Sequence, residues 1–360
     1  MVPHVRFSVI VASIVLLTAG CSNSLTGTLP AGTGSATSVL APHRDRVRIR
    51  EFSDLPQYSG YYGPTSIASL SGSLWVTETI DQDYGENAVV QIATSGQMLH
   101  AFYYGGRSTE GASFQDIVVG PDGALWITDY YNEQILQFTT NGRYTNFPLQ
   151  NYCAPIGITS GPDKALWFTT QCAGGSASIG RITTSGRIRT YSVASYAEDI
   201  AAGDDGALWF TQPTSDQIGR ITTHGKITEY SKGISAGAGP YSIVSGPDGA
   251  LWFTEQNGGR IGRITRTGTV TEYSNGITPS EKPYDLAAGP DGAMWFTEYE
   301  IVGSYQTDAS KIGRITMHGK IREYSKGLTS QAEPTDIVAG PDGRMWFVET
   351  ASDKTGRVTI

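Results

Sequence analysis

GPDGALWFTE runs from Gly246 to Glu255, IGRIT from Ile261 to Thr265 and VTEY from Val270 to Tyr273. Pro247 presets its φ, and Asp248 and Gly249 supply a tight reversal, so a hairpin turn divides two strands here. The strand before the turn passes through Pro240-Tyr241-Ser242-Ile243. The strand after it, Ala-Leu-Trp-Phe-Thr, is dense in β-formers. IGRIT and VTEY read as a third and fourth strand. No window keeps a 3.6-residue period over a dozen residues, so helices are not expected.

The unit recurs along the whole chain. Its tryptophans are Trp75, Trp126, Trp167, Trp209, Trp252, Trp295 and Trp346, spaced by 51, 41, 42, 43, 43 and 51 residues. IGRIT itself stands at 179–183, 218–222, 261–265 and 312–316. Four antiparallel strands at a period of about 40–45 residues is the signature of a propeller blade. The last copy stops at Ile360, inside its third strand. The missing fourth strand appears at the other end, where Ile49-Arg50-Glu51-Phe52-Ser53 matches Ile321-Arg322-Glu323-Tyr324-Ser325. The expected fold is all-β: a seven-bladed β-propeller over 47–360, four antiparallel strands per blade, closed by the N-terminal strand completing the last blade. Such closure hides the sheet edges that would otherwise be exposed.

Residues 1–20 read as a secretory signal, with Arg6 in the positive region and an apolar run from Phe7 to Leu17. Leu17-Thr18-Ala19-Gly20-Cys21 looks like a bacterial lipobox, so Cys21 is the expected lipidation site. Residues 21–46 are rich in Ser, Thr, Gly and Pro and read as a flexible tether. The expected location is the bacterial cell envelope, with membrane attachment through lipid on Cys21. Cys153 and Cys172 remain as an even pair in an oxidising compartment. One precedes the first strand of blade 3 and the other follows its second strand, so a disulfide is expected.

A 39% hydrophobic share supports a real core, and a net charge of −8 argues against nucleic acid as a partner. A monomer is expected. Second-to-third-strand loops differ in length, and the longest fall in blades 1 and 6, which carry Tyr84, Tyr299 and Tyr305. Insertions on one face of a repeat array mark a binding face. That face, the top, should also be acidic. Glu78, Asp129, Glu255, Glu298 and Glu349 end second strands. Asp116, Glu198, Asp199, Asp285 and Asp336 lie near the starts of first strands. Convergent carboxylates can hold Mg or Ca. Alternatively, each second-strand acid pairs with the arginine of its own third strand, such as Arg263, Arg314 or Arg357.

The repeat text resembles the streptogramin B lyase family, also called virginiamycin B lyase, over roughly 47–360. That resemblance implies ring opening of a cyclic ester by elimination, with a magnesium ion on the top face. It also implies histidines in the first strands of the last two blades, a glutamate fourteen residues after the last, and a tyrosine in blade 1. Here Tyr284 and Thr335 stand at the histidine positions and Thr65 at the tyrosine; Glu349 is retained. His4 and His43 precede the propeller, His100 ends an outer strand, and His224 and His318 fall in bottom turns. No Gly-x-Ser-x-Gly, His-Glu-x-x-His or phosphate-loop motif is present.

Three readings follow. The first is a binding module whose top face takes a small molecule, glycan or envelope protein through Tyr241, Glu255, Asp285, Glu298, Tyr299, Tyr305 and Asp336. The second is a divergent metal-dependent carbon–oxygen lyase. There Glu349 and Tyr284 would be catalytic, with Asp336 and Glu349 as metal ligands. The third is an envelope scaffold without a small ligand.

Overall fold

A computed structural model describes residues 47–53, 55, 63–81, 86–104, 113–150, 152–302 and 305–360. The expected signal, Cys21, the tether and Tyr84 lie outside the described residues, as does the Tyr305 side chain.

The described chain forms seven four-stranded antiparallel sheets. In blade 5 the strands are Pro240–Ser245, Leu251–Glu255, Arg260–Ile264 and Val270–Tyr273. The ring closes as the repeat text requires. Arg48–Phe52 pairs antiparallel with Lys354–Thr359, in a register that sets Arg48 opposite Thr359 and Phe52 opposite Thr355.

The seven tryptophans are fully buried. Each packs on the blade that follows its own. Trp252 sits with Leu286, Met294, Phe296 and Ile315 of blade 6, and Trp346 with Ile67, Leu74, Val76 and Val90 of blade 1. A buried indole removes roughly 200 Å² from water, an upper estimate of about 5 kcal/mol each. The wedge faces of the blades are therefore the core, and the described residues form seven such cores instead of one.

The hairpin turn below each second strand does more than reverse the chain. Asp248 accepts the Trp252 indole N–H at 3.0 Å through Oδ1 and the Arg263 Nε–H at 2.7 Å through Oδ2. The Arg263 guanidinium lies 5.9 Å from the Trp252 ring centroid. Asp163, Asp205 and Asp291 do the same for Trp167 with Arg181, Trp209 with Arg220 and Trp295 with Arg314. This corrects the expected pairing of Arg263, Arg314 and Arg357 with second-strand acids, since each lies against the aspartate of its own bottom turn. Arg263 stands opposite Trp252 in the sheet, three residues beyond the partner of Glu255, and points to the bottom turn. Blade 1 has Ser71-Gly72 in place of Pro-Asp-Gly, and there the buried Trp75 Nε1 has no hydrogen-bond partner among the described residues.

Candidate functional site

First strands line the central channel, and most of them carry a register irregularity near their start. In blade 5 it falls between Pro240 and Ile243, in blade 6 between Pro283 and Leu286, and in blade 7 between Pro334 and Asp336. Regular alternation would send only one of two adjacent residues toward the channel. The bulge lets both face it.

The extra backbone group at the bulge is satisfied by the threonine of the second strand. The Ser242 N–H donates to Thr254 Oγ1 at 3.0 Å, and that hydroxyl donates to the Tyr284 carbonyl of the next blade at 2.9 Å. Thr169 and Thr211 bond the Glu198 and Tyr241 carbonyls in the same way. In blade 7, Val348 takes the threonine position, and Thr350 bonds the Pro64 carbonyl at 2.7 Å instead.

The result is a cavity of about 300 Å³ at the channel mouth. Its outer ring, in blade order, is Thr65, Gln115, Ile156, Glu198, Tyr241, Tyr284 and Thr335. Its inner ring is Ser66, Asp116, Gly157, Asp199, Ser242, Asp285 and Asp336, and Thr350 completes the lining. Among the described residues that line it there is no Lys, Arg or His.

The inner ring is a girdle. Asp116, Asp199, Asp285 and Asp336 each accept a backbone N–H from the next blade: Ile158 at 2.8 Å, Ile243 at 2.8 Å, Ile337 at 3.0 Å and Ile67 at 2.8 Å. Ser242 Oγ sits between Asp199 Oδ2 at 3.0 Å and Asp285 Oδ1 at 2.6 Å; Ser66 Oγ sits between Asp116 at 3.2 Å and Asp336 at 2.5 Å. The girdle is interrupted at Gly157, where a Cβ would meet Asp199 Oδ1 at 2.9 Å. Burial pushes Asp116 up to about 7, helped by Asp199 and Asp336, and pushes Asp199 up to about 6. Asp285 is raised well above the carboxylate range by burial and by Asp336, with which it shares a hydrogen bond. Two carboxyl groups can share a hydrogen bond only when one carries a proton.

The outer ring holds a chain of hydroxyls. The Tyr241 and Tyr284 oxygens are 2.9 Å apart, and their rings are tilted with centroids 4.7 Å apart. Tyr299 packs on Tyr284 at 5.2 Å and hydrogen-bonds it from behind the lining. At the other end the Tyr196 and Tyr241 hydroxyls donate to Glu198. Burial raises Glu198, and it pushes Tyr284 up to about 12.

Of the residues the sequence put forward, Tyr241, Tyr284, Asp285 and Asp336 are brought together around this cavity, with Tyr299 behind them. Glu255, Glu298 and Glu349 are not among the lining residues. Each is fully buried, because the second strand is the interior strand of a sheet packed on both faces. Glu255 faces Arg260 at 3.8 Å, and Glu349 accepts Ser352 Oγ–H at 2.6 Å. Burial pushes both up to about 8. The structure therefore places these acids inside the blades, whereas the sequence reading had them opening on the mouth. Glu198 was counted in the sequence only as one first-strand acid among several. The available signal was that Ala197-Glu198-Asp199-Ile200 is the copy with two adjacent acids at this point of the repeat. Cys153 and Cys172 are joined on the same face, with Cα atoms 3.9 Å apart.

Metal ligation was tested on the donor set. The Asp336 Oδ2 is already taken by Ser66 and Ile67, and Glu349 does not line the cavity. Among the described residues no group of three or more His, Cys, Asp or Glu side chains is arranged to hold a metal ion. The described residues of the cavity do not fit Mg or Ca.

With this geometry in place, the chain was compared with known proteins. The pattern of the virginiamycin B lyase family matches residues 47–306. Virginiamycin B lyase from Staphylococcus aureus is 33% identical, with a TM-score of 0.73 over 87% of this chain and 99% of that one. A catalytically inactive variant of the same enzyme with quinupristin is 32% identical, with a TM-score of 0.72 over 87% and 99%. The extracellular domain of a putative one-component system from B. thetaiotaomicron shares the fold alone, at 16% identity, a TM-score of 0.63, and 86% and 42% coverage. No protein of curated function matches the chain.

Proposed function

The chain belongs to the virginiamycin B lyase family, and from that footing we propose that it acts mainly as a ligand-binding module. The observation that carries this reading is the cavity itself: two stacked rings of channel residues, acidic and tyrosine-lined, enclosing about 300 Å³. That volume lies at the lower end of small-molecule pockets, where an apolar or aromatic wall with a few convergent polar groups sets orientation. Export and tethering through lipid on Cys21 would present this face in the bacterial cell envelope. Crystals soaked with a fragment set of neutral, cationic and anionic compounds test the reading. Density in the cavity supports it, and a cavity that excludes every fragment overturns it. Cys21→Ser tests the anchor, through loss of metabolic palmitate labelling and release from the membrane fraction.

Family membership favours a second reading, a carbon–oxygen lyase that opens a cyclic ester. Tyr284 lines the cavity at the first-strand position of blade 6, with Tyr241 and Tyr299 on either side. Its raised pKa suits a proton donor and not a base at neutral pH. Incubation with quinupristin and magnesium, followed by mass spectrometry, tests it. Ring opening that Tyr284→Phe abolishes supports the lyase, and an intact ring after prolonged incubation rejects it.

A further inference from the structure

The two rings of the cavity differ in how much of their chemistry is left for a ligand. The inner-ring carboxylates are engaged by backbone N–H groups of neighbouring blades and by Ser66 and Ser242. They hold the first strands together. The outer ring contains one carboxylate, Glu198, among hydroxyl, amide and apolar side chains.

We propose that Glu198 is the cavity's anchor for a basic nitrogen, and that the ligand is a small organic amine with an aromatic or apolar body. This rests on the ligand-binding reading and names the class of ligand.

The hydrogen-bond directions around Glu198 favour an anionic carboxylate. A carboxylate only accepts, so Tyr196 and Tyr241 donate to it. The Tyr241 and Tyr284 oxygens are 2.9 Å apart, a contact in which either hydroxyl can donate, and the Tyr284 oxygen accepts from Tyr299. Linked hydrogen bonds of this kind reinforce one another in a low-dielectric site. A carboxylate has about four lone-pair positions, and the two phenols occupy two of them.

The charge so supported has no cationic partner in the lining, where Lys, Arg and His are absent among the described residues. A half-buried carboxylate without a counter-charge is costly, and desolvation raises Glu198 as that cost requires. An ammonium group from solution supplies both the missing charge and donors for the free lone pairs. Tyr241 and Tyr284 give such a cation a π-rich wall as well. Ile156, on the other side of Glu198 in the ring, offers an apolar surface to the ligand body.

The experiment compares tyramine with tyrosol, its neutral hydroxyl analogue, and with 4-hydroxyphenylacetate. Affinities at pH 7.5 are read by ligand-observed NMR on the intact protein, and each compound is soaked into crystals. Tyramine is expected to bind at least tenfold more tightly than the other two, with its nitrogen within hydrogen-bond distance of Glu198. Glu198→Gln is expected to abolish that preference. Tyrosol binding as tightly as tyramine, or a tyramine nitrogen placed away from Glu198, overturns the proposal. The comparison on the wild-type protein stands even if Glu198→Gln does not fold. Neutral or anionic compounds in the cavity without amines sink this proposal and leave the binding module standing. A cavity that takes none of them sinks both.

Discussion

Gly262 lies beneath the ring of Phe253 on the neighbouring strand, so close that a Cβ at Gly262 would come within 2.1 Å of Phe253 Cε2 and Cζ. The same contact recurs between Gly180 and Phe168, Gly219 and Phe210, Gly313 and Phe296, and Gly356 and Phe347. Blades 1 and 2 solve the same packing differently. Val76 faces Val90 and Ile127 faces Leu136 at the matching cross-strand positions. A ring over a bare backbone and two branched aliphatics fill similar space. Gly262→Ala is therefore expected to lower stability by about 1–3 kcal/mol through overpacking. Phe253→Leu in the same chain should recover part of that loss. Urea unfolding of both single variants and the double variant checks this, and strictly additive losses would count against it.

The buried acids set the pH at which the fold is most stable. Asp116 is raised from 3.8 to about 7, Asp199 from 3.8 to about 6, and Glu78, Glu255 and Glu349 from 4.5 to about 8, each chiefly by burial. A raised carboxyl pKa means that the folded state holds protons more tightly than the unfolded one. The stability these groups contribute is full below about pH 4 and is lost as pH rises through about 6–8. Asp163, Asp205, Asp248 and Asp291, on the bottom turns, are lowered by their Trp and Arg partners and act oppositely, weakening the fold below their usual pKa. The melting temperature should peak in mildly acidic buffer and fall by at least about 5 °C by pH 8.5. Scanning fluorimetry from pH 4 to 9 reads this directly. A melting temperature that climbs steadily from pH 5 to 8.5 contradicts it.

The bond between Cys153 and Cys172 ties the first strand of blade 3 to its second across a separation of 19 residues. Cross-linking a loop of that size contributes about 3 kcal/mol in the chain-entropy view. Replacing both cysteines with serine should lower the unfolding free energy by about that amount without changing the blade architecture. Equilibrium unfolding, with circular dichroism of the folded state as control, measures it.

Closure depends on six residues at the start of the propeller. Phe52 stacks on Trp346 at 5.3 Å, and Glu51 accepts from Lys354 Nζ at 2.8 Å. Deleting 47–52 should leave the strand Lys354–Thr359 as an open edge, and aggregation is the expected outcome. A synthetic peptide spanning these residues should restore a monomeric, cooperatively melting protein. Size-exclusion chromatography with and without the peptide decides. A truncated chain that stays monomeric and melts unchanged would show that closure lies elsewhere.

The sequence by itself determined the architecture. Turn residues, β-dense runs and a tryptophan every forty or fifty residues are local signals, and they recur seven times. The unpaired text at the two ends then required the ring to close on itself. Tyr241, Tyr284, Asp285 and Asp336 at the channel mouth were also legible, because they sit inside the repeated Pro-x-x-Ile or Pro-x-x-Leu segment, and Asp116, Glu198 and Asp199 were legible as acids at the same point of their copies. The tertiary structure alone decided which acids face a ligand. Glu255 and Asp285 look alike in a list of strand-end acids, yet one is enclosed within a blade and the other faces the channel. The difference is radial position, set by the bulge in the first strand and by packing on both faces of the second. Radial position also made Asp248 the partner of Arg263 and left Glu198 as the one carboxylate of the outer ring. Neither follows from spacing along the chain, since each depends on where neighbouring blades put their side chains.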